Sequence, residues 1–100
     1  MIKIFIITER RADYSRFKPI MNLIKEDDSL DYILAVTGAH IIKDMGYTKD
    51  EILNDGFDID YEIEMFKENI DSAGAMVRSF ARVAEQVTYC LENSKPDIIL

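Results

Sequence analysis

Arginines cluster behind the first apolar run of this chain, and they are the residues best suited to bind an anion. Residues 2–7 are largely apolar, and Arg10, Arg11 and Arg16 follow them. A guanidinium group can meet two phosphate oxygens with parallel hydrogen bonds. A strand followed by a helix start is also where ligands bind in open α/β sheets. We therefore predict an anion site built from Arg11, the Ser15 hydroxyl and backbone N–H groups; ordinary surface arginines are the alternative.

The only histidine, His40, follows a second apolar run that ends at Gly38. Histidine titrates near neutral pH, so His40 is a candidate acid, base or hydrogen-bond donor, with a purely structural role as the alternative. No second His or Cys stands at ligand spacing, so a metal site is not predicted. The single cysteine, Cys90, excludes an internal disulfide and is interpreted as a half-buried structural thiol.

The elements that must position these residues alternate between strand and helix. Three strands are predicted over residues 2–8, 31–37 and 59–65, and a fourth begins at Asp97. The first is almost continuously apolar, as a strand covered on both faces is, whereas the third alternates apolar and acidic residues like an edge strand. Strands that alternate with helices predict an α/β fold, a three-layer sandwich around a parallel sheet with right-handed crossovers.

The first helix carries the candidate anion site. Asp13 is expected to cap it, and its inward stripe is expected to be Phe17, Ile20, Met21 and Ile24. Pro19 lies within this window, so we expect either a kink there or a regular helix that starts near Lys18.

Two further helices are predicted. Residues 48–51 have capping-box spacing, so a short helix is expected to run to Asn54 or Asp55 and stop at Gly56. A long helix is expected to start at Asp71 or Ser72 and to end at Pro96. Its predicted inward stripe is Ala73, Met76, Val77, Phe80, Ala84, Val87 and Leu91. A second apolar line at Val83 and Cys90 is expected to face either an interface or a domain that is absent. Gly74, in its first turn, indicates either a close approach by a ligand or backbone, or fraying.

Composition narrows the functional classes. The formal net charge is −7, which argues against nucleic-acid binding because that needs clustered positive charge. No segment resembles a signal peptide or a membrane span, so a cytoplasmic protein without membrane association is expected. One hundred residues suit one small domain, yet residues 96–100 resemble a buried strand cut off at its start. We therefore expect an N-terminal piece of a larger protein.

Several motifs together resemble the N-terminus of a known enzyme family. They are residues 11–16, 18–20, 36–40, 46–48, 55–60 and 95–98. In these residues the chain resembles UDP-N-acetylglucosamine 2-epimerases, and in particular their hydrolysing branch, which makes free N-acetylmannosamine for sialic acid-type sugars. The non-hydrolysing branch has Arg-Pro-Glu where this chain has Arg11-Ala12-Asp13.

The resemblance implies a two-domain fold like that of B-type glycosyltransferases, with residues 1–100 as the first part of a Rossmann-like N-terminal domain and the second domain absent. It implies anti elimination of UDP followed by hydration, without a cofactor. Arg11, Ser15 and Asp13 match residues near the nucleotide diphosphate, and His40 matches a histidine implicated in activity. The main acidic catalytic residues are expected beyond Leu100, so the fragment alone is expected to be inactive. A dimer or tetramer of the full-length protein is implied as well.

Alternatives remain open from the sequence. A nucleotide-sugar glycosyltransferase of the same fold and a non-catalytic nucleotide-binding module are the other functions considered, and a GDP-linked sugar is the other substrate. Glu9 departs from the family pattern, because a carboxylate is unexpected near a diphosphate. Either it pairs with Arg10 or it indicates a changed substrate.

Overall fold

A computed structural model describes residues 1–38, 48–65 and 72–100 of the protein. In this part of the chain, strands and helices alternate, as the sequence predicts. The elements in chain order are β1 (Ile2–Thr8), α1 (Arg11–Glu26), β2 (Leu30–Thr37), α2 (Lys49–Asn54), β3 (Tyr61–Ile63), α3 (Ala73–Ser94) and β4 (Ile98–Ile99).

The strands form one parallel sheet in the order β3-β2-β1-β4. The long pair β1 and β2 is in register from Ile2 opposite Leu30 to Thr8 opposite Val36. β3 is an edge strand, as predicted, but it is shorter than residues 59–65. In a parallel sheet the carboxyl ends of the strands lie along one edge, so the β1–α1 turn and the end of β2 are neighbours.

The two faces of the sheet are covered by different helices, which confirms the predicted three-layer α/β/α fold. On one face, Ile6, Leu34 and Val36 pack with residues of α1 and α2. On the other face, Phe5, Ala35 and Ile63 pack with Cys90 of α3. Successive strand residues point to opposite faces, and this alternation divides the core into two clusters.

Two expectations for α1 are corrected. Of the two alternatives at Pro19, the start near Lys18 is wrong, because the helix starts at Arg11 and continues through Pro19 to Glu26. Asp13 is not the residue at the N-cap but lies within the first turn, where its carboxylate reaches back to the N–H groups of Glu9 and Arg10. A carboxylate in the first turn satisfies donors that precede the helix, as in a capping box.

The inward face of α1 is also shifted. Met21 and Ile24 are buried and Phe17 packs against the same cluster, but Ile20 is exposed. The most buried residue of the first half is Tyr14, which was not predicted. Its ring extends the stripe by one turn because positions 14, 17, 21 and 24 follow helical spacing.

α2 has the predicted bounds, Lys49–Asn54, and Gly56 ends the segment with φ +90°. A positive φ favours glycine. Thr48 precedes the helix in αR backbone, without the side-chain capping bond that the Thr48–Glu51 spacing predicts. Ile52 is fully buried and anchors α2 to the sheet.

The predicted inward stripe of α3 is wrong except at Val87 and Leu91. Its other members are exposed, with Phe80 at 79%: Ala73, Met76, Val77, Phe80 and Ala84. The buried residues of α3 are instead Ala75, Ser79 and Cys90, with Val83, Val87 and Leu91 packed beside them. The line of Val83 and Cys90 therefore faces the sheet rather than an interface, and Cys90 is buried rather than half-buried.

Polar bonds help to set this orientation of α3. Arg82 donates a hydrogen bond to the Met65 carbonyl, and Gln86 donates to the Glu64 carbonyl at 2.7 Å. The backbone that follows β3 is thereby tied to one face of the helix. Small residues at Ala75 and Ser79 on the same side let α3 approach closely, which hydropathy alone does not indicate.

Both ends of α3 are defined by side-chain or backbone geometry. Ser72 is the N-cap, one of the two residues expected, and its side chain accepts a hydrogen bond from the Ala75 N–H at 3.0 Å. A Cβ at Gly74 would lie 3.2 Å from Arg78 Nη1, so the close approach there is by the helix's own side chain. After Lys95, the Lys3 N–H donates to the Asp97 carboxylate and the Asp97 N–H donates to the Lys3 carbonyl. These two bonds place the start of β4 beside β1.

Candidate functional site

The β1–α1 turn is held by the carboxylate of Asp13. Asp13 Oδ1 accepts from the Arg10 N–H at 3.1 Å, and Oδ2 accepts from the Glu9 N–H at 3.2 Å. The buried Thr8 hydroxyl donates to the same carboxylate. Asp13 thus occupies the position at the helix start that an anion would take, and fixes the turn that carries the arginines.

Glu9 connects this turn to the end of β2. Its carboxylate pairs with Arg10 at 3.2 Å, which is the first of the two alternatives considered for this residue. Its side chain also lies directly over Gly38, where an added Cβ would be 2.4 Å from Glu9 Cγ. Gly38 itself has φ +60°. The turn after β1 and the end of β2 therefore fit together only because residue 38 lacks a side chain.

Arg11 points toward α2. Its Nη2 atom lies 3.4 Å from Glu51 Oε1, and its side chain is 71% exposed. Ser15, one turn further along α1, is exposed and donates its hydroxyl proton to the Arg11 carbonyl at 2.9 Å. The structure thus brings Arg11 and Ser15 together on the first two turns of α1. His40 lies outside the described residues.

A groove of about 450 Å³ lies at the carboxyl end of the sheet, between the strands and α3. Its walls are the ends of the strands, the carboxylates of Glu9 and Asp13 at the start of α1, and apolar side chains of α3. The lining residues are Ile7, Glu9, Asp13, Thr37, Met65, Phe80, Val83, Ala84 and Val87. The Thr37 hydroxyl donates to the Ile63 carbonyl at 2.6 Å and so joins the ends of β2 and β3 at the base of the groove. The groove offers one polar end and one apolar wall to a ligand.

A polar cluster that was not predicted from the sequence joins α1 to the end of α2. The Tyr14 hydroxyl donates to Asp55 Oδ2 at 2.5 Å, and Lys18 Nζ lies 3.1 Å from the same oxygen. Burial, followed by the carboxylate beside it, raises the pKa of Tyr14. The hydrogen bond from Tyr14 and then Lys18 lower the pKa of Asp55. Only the three-residue spacing from Phe17 back to Tyr14 could have suggested that the tyrosine faces inward.

A second cavity, of about 460 Å³, lies at the opposite end of β2. Asp31, Asp58 and Asp60 line it together with Lys25, and burial raises the pKa of Asp60. Asp60 Oδ2 accepts from the Leu34 N–H at 2.8 Å. Within residues 1–38, 48–65 and 72–100, no group of three or more His, Cys, Asp or Glu side chains is arranged to hold a metal ion. Among the described helices, none is long and apolar enough to span a membrane.

Comparison with known proteins finds similarity to 2-epimerases of UDP-linked sugars. No protein-family model matches the chain. It is 34% identical over 61 residues to the UDP-N-acetylglucosamine 2-epimerase of Neisseria meningitidis serogroup B, which covers 61% of this chain and 16% of that protein. It is 28% identical over 98 residues to the UDP-N,N'-diacetylbacillosamine 2-epimerase (hydrolyzing) of Legionella pneumophila, which covers 98% of this chain and 26% of that protein.

The fold also resembles that of a solved protein structure. A crystal structure of a UDP-N-acetylglucosamine 2-epimerase superposes with a TM-score of 0.73 at 17% sequence identity, over 98% of this chain and 25% of that one. The chain therefore spans about a quarter or less of the length of these relatives. The resemblance to UDP-N-acetylglucosamine 2-epimerases inferred from the sequence motifs is confirmed, and so is the Rossmann-like parallel fold.

Proposed function

We propose that the complete protein catalyses hydrolysing 2-epimerisation of a UDP-linked 2-acetamido sugar, giving UDP and the free sugar with inverted C2. For UDP-N-acetylglucosamine the free sugar is N-acetylmannosamine. The similarity to a hydrolysing 2-epimerase along 98% of the chain supports the reaction type. The observation that carries the proposal is Arg11 in the first turn of α1, at the carboxyl end of a parallel sheet of this fold.

The proposed reaction places its largest charge change on the leaving group. Removal of the C2 proton and cleavage of the C1–O bond release UDP and leave a 2-acetamidoglucal. Water then adds its oxygen to C1 and a proton to C2 on the opposite face. Because the diphosphate gains negative charge as the C1–O bond breaks, a guanidinium there stabilises the transition state more than the bound substrate.

Each residue of the turn has a distinct proposed role. Arg11 would bind the diphosphate through its guanidinium, and Ser15 would contribute its hydroxyl from the next turn. Asp13 would hold the β1–α1 turn through its bonds to Thr8, Glu9 and Arg10. It would affect the diphosphate only indirectly, because this turn positions Arg11. His40 is proposed as an acid or base, because it is the only histidine and follows the last residue of β2, Thr37, by three positions in the sequence.

The test uses the complete protein with UDP-N-acetylglucosamine and, separately, the GDP-linked sugar, followed by proton NMR in D₂O. We expect UDP release together with free N-acetylmannosamine that carries deuterium at C2. Nucleotide release without deuterium at C2 would indicate simple hydrolysis or glycosyl transfer and would contradict the proposal. Turnover of only the GDP-linked sugar would correct the nucleotide and keep the reaction.

Substitution of Arg11 tests the observation that carries the proposal. Arg11→Ala should lower kcat/KM, because one preorganised charge contact is lost. The loss of transition-state stabilisation should be about 2 to 4 kcal/mol. Arg16→Ala is the matched control, since Arg16 is another exposed arginine of the same helix. If the two variants have equal activity with unchanged circular dichroism, Arg11 does not bind the diphosphate. Assembly as a dimer or tetramer and placement in the cytoplasm remain predictions from the family resemblance.

A further inference from the structure

Arg11 has an acidic neighbour on a different element, and this pairing bears on how it can bind a ligand. Glu51, in the first turn of α2, lies 3.4 Å from the Arg11 guanidinium. Both side chains are accessible, at 71% for Arg11 and 39% for Glu51. Arg11 is not among the residues that line the groove at the carboxyl end of the sheet, whereas Glu9 and Asp13 of the same turn are.

The pairing with Glu51 is not needed to hold α2 in place. Ile52 of α2 is fully buried in the core. Asp55, directly after α2, accepts a hydrogen bond from Tyr14 at 2.5 Å and pairs with Lys18 at 3.1 Å. These contacts join the same two helices without Glu51. Removing the charge of Glu51 should therefore leave the packing of α2 intact and change mainly the surroundings of Arg11, although Glu51 also contributes to the raised pKa of Tyr14.

We infer that Glu51 competes with a nucleoside diphosphate for the Arg11 guanidinium and so weakens binding of the nucleotide. The inference rests on the proposed function, in which Arg11 binds the diphosphate. Competition follows because the guanidinium must turn from α2 toward the groove to reach a ligand there, and must give up the carboxylate contact to do so. Exposed ion pairs are weak, so the effect is a modest adjustment of affinity rather than an on–off switch.

The experiment measures the Kd of UDP for the complete protein by isothermal titration calorimetry. Glu51→Gln keeps the shape of the side chain and removes its charge, and it should tighten UDP binding about two- to fivefold, the range that an exposed ion pair allows. Raising the salt concentration should shrink this difference, because salt screens exposed charges. Glu62→Gln is the matched control: it makes the same change at an exposed carboxylate that pairs with Lys49 of α2 at 2.8 Å.

A double variant separates competition from simple repulsion. In an Arg11→Ala background, Glu51→Gln should no longer change the Kd if Glu51 acts through Arg11. An equal tightening in that background, or by Glu62→Gln, would show general charge repulsion and overturn the inference. Weaker UDP binding by Glu51→Gln would also overturn it, because Glu51 would then orient Arg11 for binding.

The outcome for Arg11 alone distinguishes this inference from the proposed function. If Arg11→Ala weakens UDP binding while Glu51→Gln leaves it unchanged, the diphosphate role stands and the competition fails. If Arg11→Ala leaves UDP binding unchanged, the diphosphate role of Arg11 fails, and the competition fails with it.

Discussion

At the scale of single residues, Gly38 occupies a backbone position that does not accommodate a side chain. Its φ of +60° and the 3.0 Å distance from an added Cβ to the Glu9 carbonyl oxygen both oppose a side chain. We expect Gly38→Ala to lower the free energy of unfolding by about 1 to 3 kcal/mol, from left-handed backbone and crowding together. Urea unfolding followed by circular dichroism measures this change.

The Glu9 side chain provides the control for that substitution. Glu9 Cγ would lie 2.4 Å from the new Cβ, so Glu9→Ala removes the nearest atom but leaves the carbonyl contact. The cost of Gly38→Ala should therefore be smaller in a Glu9→Ala background, as a double-mutant cycle would detect. Equal costs in both backgrounds would mean that the two residues do not touch in solution.

The residues of the candidate site were easier to locate from sequence than their partners. Arg11 and Ser15 stand behind a strand-like run, and that position alone places them at the carboxyl edge of a sheet. The pairing of Arg11 with Glu51 joins residues 40 positions apart, and the contact of Glu9 with Gly38 joins residues 29 apart. Spacing along the chain carries no signal for contacts that depend on how two elements pack.

At the scale of elements, the bond between Tyr14 and Asp55 should make the α1–α2 packing sensitive to pH at both extremes. The folded pKa of Asp55 lies below its ordinary 3.8, so its stabilisation is present above that pH and is lost as the pH falls through the folded value. The folded pKa of Tyr14 lies above its ordinary 10.0, so its stabilisation is present below pH 10 and is lost as the pH rises further.

Tyr14→Phe tests this coupling while keeping the buried ring. The variant should be less stable at neutral pH, and its stability should fall less steeply above pH 10 and at the acid end than that of the parent protein. Tyr89→Phe is a suitable control, because the Tyr89 side chain is 65% exposed. Parallel pH profiles for the parent and Tyr14→Phe would mean that the hydroxyl does not bond Asp55.

Helix and strand bounds were largely predictable, whereas the buried face of a helix was less so. Thr48, Asn54 and Gly56 marked α2 correctly because they are local signals. The face of α3 was predicted from its most apolar residues, but Ala75 and Ser79 face the sheet instead, and Arg82 bonds the backbone after β3. Small residues and side-chain bonds to backbone decided the orientation, and neither contributes to a hydropathy pattern.

At the scale of the whole molecule, the two layers that cover the sheet are unequal among the described residues. The cluster on the α1 and α2 side contains eight buried residues, including Tyr14, Met21 and Phe57, whereas the α3 side contains four. Buried apolar area is the main stabilising term in folding, so the α3 layer has less to hold it on the sheet. We infer that α3 separates from the sheet at a lower free energy than global unfolding requires.

Cys90 reports this opening directly, because it is 3% exposed between α3 and the sheet, and burial raises the pKa of its thiol. Its labelling by a thiol reagent should be much slower than that of a cysteine placed at exposed Tyr89 in a Cys90→Ser background. The opening free energy calculated from this ratio should lie below that from urea unfolding, since only one layer has to move. Equal values would mean that both layers unfold as one cooperative unit, and equal labelling rates would mean that α3 does not cover Cys90. In either case the unequal clusters would not determine the order in which the layers separate.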